Sequence, residues 1–322
     1  MPCYSAKVAL LGGIIDYAGT FPPAALPLAE ALTVAAKFRS VAKHPWLMAK
    51  IALPLEDIKK LNAATLYDSG ADGDAWLYTA LGSAIPQPDE ALRTLEWDFR
   101  ELRRCNIRAF NSSLRQWILA YETKAPAELL SDRGKSLKAY LDKFASLSGF
   151  QQELFLEFPV GPNWAEHITL ASRGLADWCE ANGQSEWAFG LKFRTGGAVV
   201  PSTDDLAHAI ASCTSHGLRF KATQGLHSAV THDKTSYGFV NLFAALSFSQ
   251  ALGEEKFNRE AIARCLADET AKHFQFTART LRWEDFEIDA DAIEAARRRH
   301  GATFGSCSLD EPDGSLAATF KE

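Results

Sequence analysis

The sequence predicts an α/β protein built as a single (β/α)8 barrel domain over residues 1–322. Three observations predict this fold. Short apolar runs recur along the whole chain, and a longer segment with apolar residues at helical spacing follows each of them. Eight such pairs can be counted, which is typical of a closed parallel barrel. No G-x-G-x-x-G segment follows the first run, which disfavours the open sheet of dinucleotide-binding proteins.

The eight predicted strands are short apolar runs bounded by turn or helix-start residues. They cover residues 8–16, 46–53, 75–82, 106–113, 154–160, 187–193, 218–224 and 302–308. The intervening helices are clearest at 28–43, 89–105, 165–181 and 203–217, where apolar residues recur every three or four positions. Residues 228–301 are too long for one connecting helix and are expected to hold two or three extra helices.

Composition narrows the class of protein. The chain is 47% hydrophobic, which is sufficient for a large core. Its net charge of −6 and the lack of a long basic run argue against nucleic-acid binding. No apolar run is long enough to span a bilayer. Six cysteines without a C-x-x-C pair indicate thiols rather than a disulfide scaffold. We therefore expect a cytoplasmic protein with a small-molecule substrate, and a homo-oligomer is compatible with the sequence.

Charged residues are predicted to point into the barrel near the C-terminal ends of several strands. Side chains alternate along a strand, so outward Phe189, Leu191 and Phe193 leave Lys192 and Arg194 facing inward. The same alternation turns Lys221 and Glu157 inward, and allows it for Lys50 and Asp16. Because buried charge is costly unless it is paired or used, this end of the barrel is the expected site.

Two inward lysines on neighbouring strands suggest carbonyl chemistry. If Lys192 and Lys221 lie roughly 6 Å apart, their repulsion at an effective dielectric of about 20 is near 3 kcal/mol, or about two pKa units. One amine is then substantially neutral and can add to a carbonyl carbon. The alternative interpretation is a structural ion network in which the lysines neutralise Asp16 and Glu157.

Short motifs around these lysines resemble the deoxyribose-phosphate aldolase family, whose members are class I aldolases with a TIM-barrel fold. The family's K-T-S-T-G is matched by K-F-R-T-G at 192–196, and its K-A-S-G-G-I-R by K-A-T-Q-G-L-H at 221–227. Its F-G-A-S-S is matched by F-G-S-C-S at 304–308, and its I-E-T by L-E-F at 156–158. The resemblance covers mainly 150–227 and 302–309, with a weaker likeness at 14–17.

The resemblance implies a role for each matching residue. Lys192 would form the Schiff base, and Lys221 and Asp16 would belong to the proton relay. The positions that would bind a substrate phosphate are Thr195, Gly196, Gly225 and Ser308.

Other positions depart from the family pattern. The predicted fourth strand offers Arg108 and Asn111 where the family has an acidic relay residue. Gln224 replaces a phosphate-loop glycine, and Arg194 replaces a small residue, which points to an anionic substrate group beside that arginine.

The sequence thus predicts an aldolase-like lyase without a cofactor, acting on a small anionic sugar-like or oxo-acid carbonyl compound. The predicted catalytic residues are Lys192, Lys221, Asp16 and Glu157, and the predicted substrate-binding residues are Arg194, Thr195, Gly196, Gly225, Ser308 and Lys50. Two alternatives remain. One is a metal-dependent hydrolase or isomerase using His227 and His232, although no metal ligand is assigned. The other is a non-catalytic barrel that binds a phosphorylated metabolite.

Overall fold

Eight parallel strands close into a barrel, as the sequence predicts. The computed structural model describes residues 5–70, 75–111, 115–149, 152–184, 188–233 and 236–320. The barrel strands are β1 (Ile15–Tyr17), β2 (Met48–Pro54), β3 (Trp76–Leu81), β4 (Gln116–Lys124), β5 (Glu153–Glu157), β6 (Phe189–Arg194), β7 (Arg219–Thr223) and β11 (Gly301–Ser306). They follow one another around the barrel in chain order, and β11 closes the ring by pairing with both β7 and β1.

Helices cover the outside of the barrel and connect its strands. They are α1 (Ala6–Leu11), α2 (Leu28–Val41), α3 (Leu55–Ile58), α4 (Ala63–Asp68), α5 (Ala91–Asn111), α6 (Lys135–Ser148), α7 (Trp164–Ala181), α8 (Thr203–Ser215), α9 (Phe239–Leu252), α10 (Arg259–Ala267), α11 (Ala290–Arg299) and α12 (Asp310–Thr319). Short 3-10 turns lie at Pro45–Leu47, Pro88–Glu90, Ala127–Leu130 and Ala271–His273. None of the helices in the described ranges is both long and apolar enough to cross a bilayer.

The barrel interior is separated from the main core by strand alternation. Outward-facing side chains such as Phe189 and Leu191 pack in the large core between barrel and helices. Inside the barrel, Phe155 and Ala120 form a small apolar cluster of their own. A Cβ at Gly190 would lie only 2.8 Å from the Phe155 ring, so the glycine leaves room for that ring. The predicted inward and outward faces are thus confirmed for β6.

The prediction of a fourth strand at residues 106–113 is wrong. Residues 106–111 continue α5, and residues 112 and 113 lie outside the described part of the chain. Leu95, Phe99 and Leu102 are buried at helical spacing, and this pattern continues the helix through a segment whose own composition resembles a strand. The true strand begins at Gln116. The other predicted strands from 46 onward each overlap an observed one.

The first predicted strand was too long at its start. Residues 6–11 form α1, which begins where the Ser5 hydroxyl accepts a hydrogen bond from the Val8 amide. Only Ile15–Tyr17 join the barrel, with Asp16 at the centre of this short strand. The apolar run from 8 onward therefore belongs to two elements, and Gly12 and Gly13 separate them.

The long segment before the last barrel strand holds α9, α10 and α11, as predicted, and a small sheet that the sequence analysis missed. This antiparallel sheet comprises β8 (Phe274–Phe276), β9 (Thr280–Trp283) and β10 (Phe286–Asp289). Trp283 stacks on Phe286 with ring centroids 5.8 Å apart, and Phe257 contacts both rings. Strands this short depend on such aromatic packing, which periodicity alone does not show.

Candidate active site

The C-terminal ends of the barrel strands surround a cavity of about 540 Å³. Lys192, Lys221 and Glu122 line it, and the loops after β1, β6, β7 and β11 complete its wall. The side chains of Lys192 and Lys221 are only 9% and 2% exposed, so both amines lie in a secluded space. This is the end of the barrel where the inward charges were predicted to gather.

Three buried carboxylates and four basic side chains form one connected ion network beside this cavity. Glu122 is at its centre: Lys192 Nζ lies 2.8 Å from Glu122 Oε2, and Lys221 Nζ contacts the other carboxylate oxygen. Lys192 Nζ also lies 3.2 Å from Glu157 Oε2. The members of the network are Asp16, Glu122, Glu157, Lys50, Lys192, Lys221 and Arg194.

Asp16 is fully buried and binds three neighbours. Its Oδ2 contacts Lys221 Nζ and accepts the Thr79 hydroxyl at 2.9 Å. Lys50 Nζ lies 3.5 Å from Oδ1, because β1 and β2 pair with Asp16 opposite Lys50. Lys50 therefore contacts Asp16 rather than Lys192, while Lys221 is the residue opposite Lys192 on the neighbouring strand.

Arg194 extends the network toward the cavity mouth. Its guanidinium donates to Glu157 Oε1 from Nε at 3.2 Å and from Nη2 at 3.1 Å. Nη1 donates to Gln224 Oε1 at 2.9 Å. The predicted inward direction of Arg194 is confirmed, and its charge is shared with a carboxylate of the protein.

Burial and charge pairing act in opposite directions on these groups. Burial alone would lower the pKa of Lys221, but the carboxylates of Asp16 and Glu122 raise it well above its ordinary value. Burial alone would raise the pKa of Asp16, whereas Lys221, Lys50 and the Thr79 hydroxyl lower it to about 2. The pKa of Glu122 is also lowered, because Lys192 and Lys221 outweigh its burial. Lys221 is thus a cation held between two carboxylates.

This arrangement corrects the predicted effect of lysine–lysine repulsion. The two amines do lie on adjacent strands at the same level. However, Glu122 lies between them and attracts both, so repulsion is not the dominant charge interaction. The pKa of Lys221 rises instead of falling. Lys221 is therefore not the neutral amine that repulsion between the two lysines would have produced.

Glu122 is the central residue of this network, and the sequence analysis missed it. It lies on β4, the strand whose position was wrongly predicted. The alternation in QWILAYETK would have turned Ala120 and Glu122 inward, so the signal was present once the correct strand is recognised. Glu122 also supplies an acidic residue on the fourth strand, where the aldolase resemblance expects one and where Arg108 and Asn111 had been considered.

Two of the residues predicted to bind phosphate use their polar groups within the protein. Thr195 donates its amide to Thr223 O at 2.8 Å and its hydroxyl to Gln224 O at 2.5 Å. The Ser308 amide donates to Ser306 Oγ at 3.3 Å, and its hydroxyl accepts from the Glu311 amide at 3.2 Å. Neither Thr195 nor Ser308 lines the cavity.

The two predicted phosphate-binding glycines bring the loops after β6 and β7 together. A Cβ on Gly196 would lie 2.6 Å from the Gly225 amide nitrogen, and Gly225 itself has a φ of +79°. Side chains at either position would push these loops apart. Gly225 lines the cavity, so its assignment to substrate binding stays a prediction.

The two loop histidines are held separately by carboxylates. His227 lines the cavity mouth, and its Nδ1 lies 2.6 Å from Glu311 Oε2. His232 Nε2 lies 3.5 Å from Asp233 Oδ2. In the described part of the chain, no group of three or more His, Cys, Asp or Glu side chains is arranged to hold a metal ion. The structure therefore does not bring His227 and His232 together as a metal site.

The stability of the protein should depend on the ionisation of Asp16. Its folded-state pKa of about 2 lies below the ordinary 3.8, so its contribution is fully present above the ordinary pKa and is lost as the pH falls toward 2. Between pH 5 and pH 2 the wild-type free energy of unfolding should fall by about 2 kcal/mol more than that of D16N. Urea unfolding at several pH values measures both curves. Parallel curves would contradict the assignment.

Comparisons with known proteins gave no match in sequence and a distant likeness in structure. No protein-family model matches this sequence, and no curated protein matches it. Among solved structures, the chain is similar to the UMP synthase of Leishmania donovani at 13% identity and a TM-score of 0.39. The alignment covers 80% of this chain and 55% of that chain, so the present chain spans little more than half of its length.

Proposed function

We propose that this barrel is a Schiff-base lyase that makes or breaks a carbon–carbon bond next to a carbonyl group. The observation that carries the proposal is the position of Lys192. Its amine lines the cavity and lies within 3.2 Å of two carboxylates, Glu122 and Glu157. Lys221 holds a positive charge on the other side of Glu122. A nucleophilic amine with acid–base groups in contact is the arrangement that imine catalysis requires.

The reaction begins when Lys192 transfers a proton to a neighbouring carboxylate, Glu157 or Glu122. The neutral amine adds to the carbonyl carbon and gives a carbinolamine. The carbinolamine oxygen takes up a proton and leaves as water, and a protonated imine remains. The positive charge held on Lys221 helps to keep the neighbouring Glu122 carboxylate ionised, so Glu122 can accept a proton when substrate arrives.

Cleavage then uses the imine as an electron acceptor. A carboxylate removes the proton from the substrate hydroxyl two carbons away, and the carbon–carbon bonding pair moves into the imine to form an enamine. An aldehyde departs. The enamine carbon is protonated, and water hydrolyses the resulting imine to release the second carbonyl product and Lys192. Asp16, which contacts Lys221 Nζ, links the relay to β1 and keeps Lys221 in place.

Borohydride trapping tests this proposal. Wild-type protein is incubated with a panel of aldehydes, ketones and oxo acids, reduced with borohydride, and analysed by intact mass and peptide mapping. The expected result is one substrate-sized adduct on Lys192. Absence of an adduct on any lysine across the panel would contradict the proposal. Binding of panel compounds without an adduct or turnover would favour a non-catalytic binding barrel.

A further inference from the structure

The wall of the cavity has two chemically different halves. The side formed by β1, β2, β3 and the loop after β1 contributes only apolar lining residues: Ala18, Phe21, Pro22, Pro23, Ala52 and Leu81. These strands are consecutive around the barrel, so the apolar half is continuous. A ligand with hydroxyl groups on this side would lose hydrogen bonds to water without replacement. The half therefore favours a hydrocarbon part of the ligand.

The opposite side, formed by β4, β6 and β7, contributes charged lining residues. Lys124 and Arg194 are nearer the mouth than Lys192, because Lys124 follows Glu122 and Arg194 follows Lys192 by two positions on the strand. Arg194 is paired with Glu157. Within the described residues, no carboxylate lies within ion-pair distance of Lys124. The ammonium group of Lys124 is thus available to an anionic ligand.

The space between the loops after β6 and β7 is occupied by a side chain of the protein. Gln224 Oε1 accepts from Arg194 Nη1 and lies 2.7 Å from where a Cβ on Gly197 would be. The backbone N–H of Gln224 donates to Gly305 O at 3.3 Å. The hydroxyl of Thr195 and the backbone N–H groups of Thr195 and Ser308 also donate within the protein, so these donors are not available to a phosphate group. A carboxylate needs fewer hydrogen-bond donors than a phosphate group, since one or two cations at the cavity mouth can bind it.

We infer that the substrate of the proposed reaction is an oxo acid with an apolar chain, and not a phosphorylated sugar. The carboxylate binds at Lys124 beside Arg194, the carbonyl carbon faces Lys192, and the hydrocarbon chain lies against Phe21 and its apolar neighbours. This inference rests on the proposed function for the carbonyl step only. A cavity of about 540 Å³ has room for a ring or a branched chain beside the carboxylate.

Three probes separate the contributions of charge and apolar surface: phenylpyruvate, phenylacetone and dihydroxyacetone phosphate. Phenylacetone keeps the ring and the ketone of phenylpyruvate but lacks its carboxylate. The measurement is the concentration of each probe that gives half of the maximal borohydride-trapped adduct. We expect phenylpyruvate to reach this point at a concentration at least about tenfold below that of dihydroxyacetone phosphate. An equal or lower value for dihydroxyacetone phosphate would overturn the inference.

Variants assign the effect to each half of the cavity. K124M should raise the half-saturating concentration of phenylpyruvate about tenfold and leave that of phenylacetone unchanged, because only phenylpyruvate has a carboxylate for Lys124 to bind. F21A should raise the half-saturating concentrations of both phenylpyruvate and phenylacetone. K138M, which changes an exposed lysine on α6, should change neither and serves as the matched control. An equal effect of K124M on both probes would overturn the assignment of the carboxylate to Lys124.

A fourth probe distinguishes failure of this inference from failure of the proposed function. Hydrocinnamate has the carboxylate and the ring but no ketone group, so its binding does not depend on imine formation. Binding of hydrocinnamate is measured as the concentration that gives half of the maximal thermal shift. If no probe forms an adduct but K124M raises this concentration about tenfold, the proposed function fails and the ligand class is supported. If hydrocinnamate does not bind, or binds to K124M as it does to wild type, the ligand class is overturned.

Discussion

Replacing Lys192 by methionine is expected to abolish the borohydride-trapped adduct and to lower turnover of the trapped substrate by at least about 10⁴-fold. The reason is that Lys221, the amine opposite Lys192 on the neighbouring strand, cannot take over its role. Lys221 is 2% exposed, and its ammonium group is bound by Asp16 and Glu122, which raise its pKa. Methionine has a similar volume and leaves the cavity shape nearly unchanged. Intact mass after reduction and a turnover assay measure the two effects.

Lys221→Met is the informative partner variant. It should retain the adduct on Lys192 but lose roughly 10²- to 10³-fold in turnover, because proton transfer loses its cation while the nucleophile remains. Lys143→Met, in a surface pair with Glu96, should behave as wild type in both assays. An adduct of undiminished yield in Lys192→Met would show that the reactive amine lies elsewhere, and the proposed mechanism would have to be abandoned.

Replacing Glu122 by glutamine is expected to cost about 3 kcal/mol or more in the free energy of unfolding. Glu122 is 2% exposed and pairs with both Lys192 and Lys221, so the neutral amide leaves two buried cations with one carboxylate fewer. The amide nitrogen also faces an ammonium group that cannot accept its hydrogen bond. Urea unfolding monitored by circular dichroism measures the loss.

The control for this variant is Glu96→Gln, which also breaks a pair with a lysine but on an exposed surface. The Glu96 and Lys143 side chains are 51% and 32% exposed, and such pairs contribute at most about 1 kcal/mol. Comparing the two losses in the free energy of unfolding separates the effect of burial from the effect of losing an ion pair. A loss of stability in Glu122→Gln no larger than in Glu96→Gln would mean that water reaches the network and compensates for the missing charge.

Strand alternation made part of the site predictable from sequence. The alternation of side chains along a strand is a local property. The inward direction of Lys192, Lys221 and Arg194 could therefore be predicted without knowledge of any other strand. Their position near strand ends then follows from the direction of parallel strands in a barrel. The closed barrel itself was predictable because seven of the eight predicted apolar runs overlap barrel strands and alternate with amphipathic segments.

The fourth strand shows where local pattern fails. Residues 106–111 have the composition of a strand, yet they continue α5, whose buried side chains follow the helical period from Leu95 onward. Choosing between two periods that both fit requires knowing which face of the segment is covered by neighbours. That misplacement hid Glu122, and with it the centre of the ion network.

The sequence by itself determined the barrel, the strand faces and the presence of two inward lysines. Only the tertiary structure decided what those lysines contact. Strand order and register bring Asp16 from β1 and Glu122 from β4 to the same ammonium group of Lys221, although these residues are far apart in the chain. Because charge interactions depend on distance and burial, the direction of each pKa shift follows from these contacts and not from residue type.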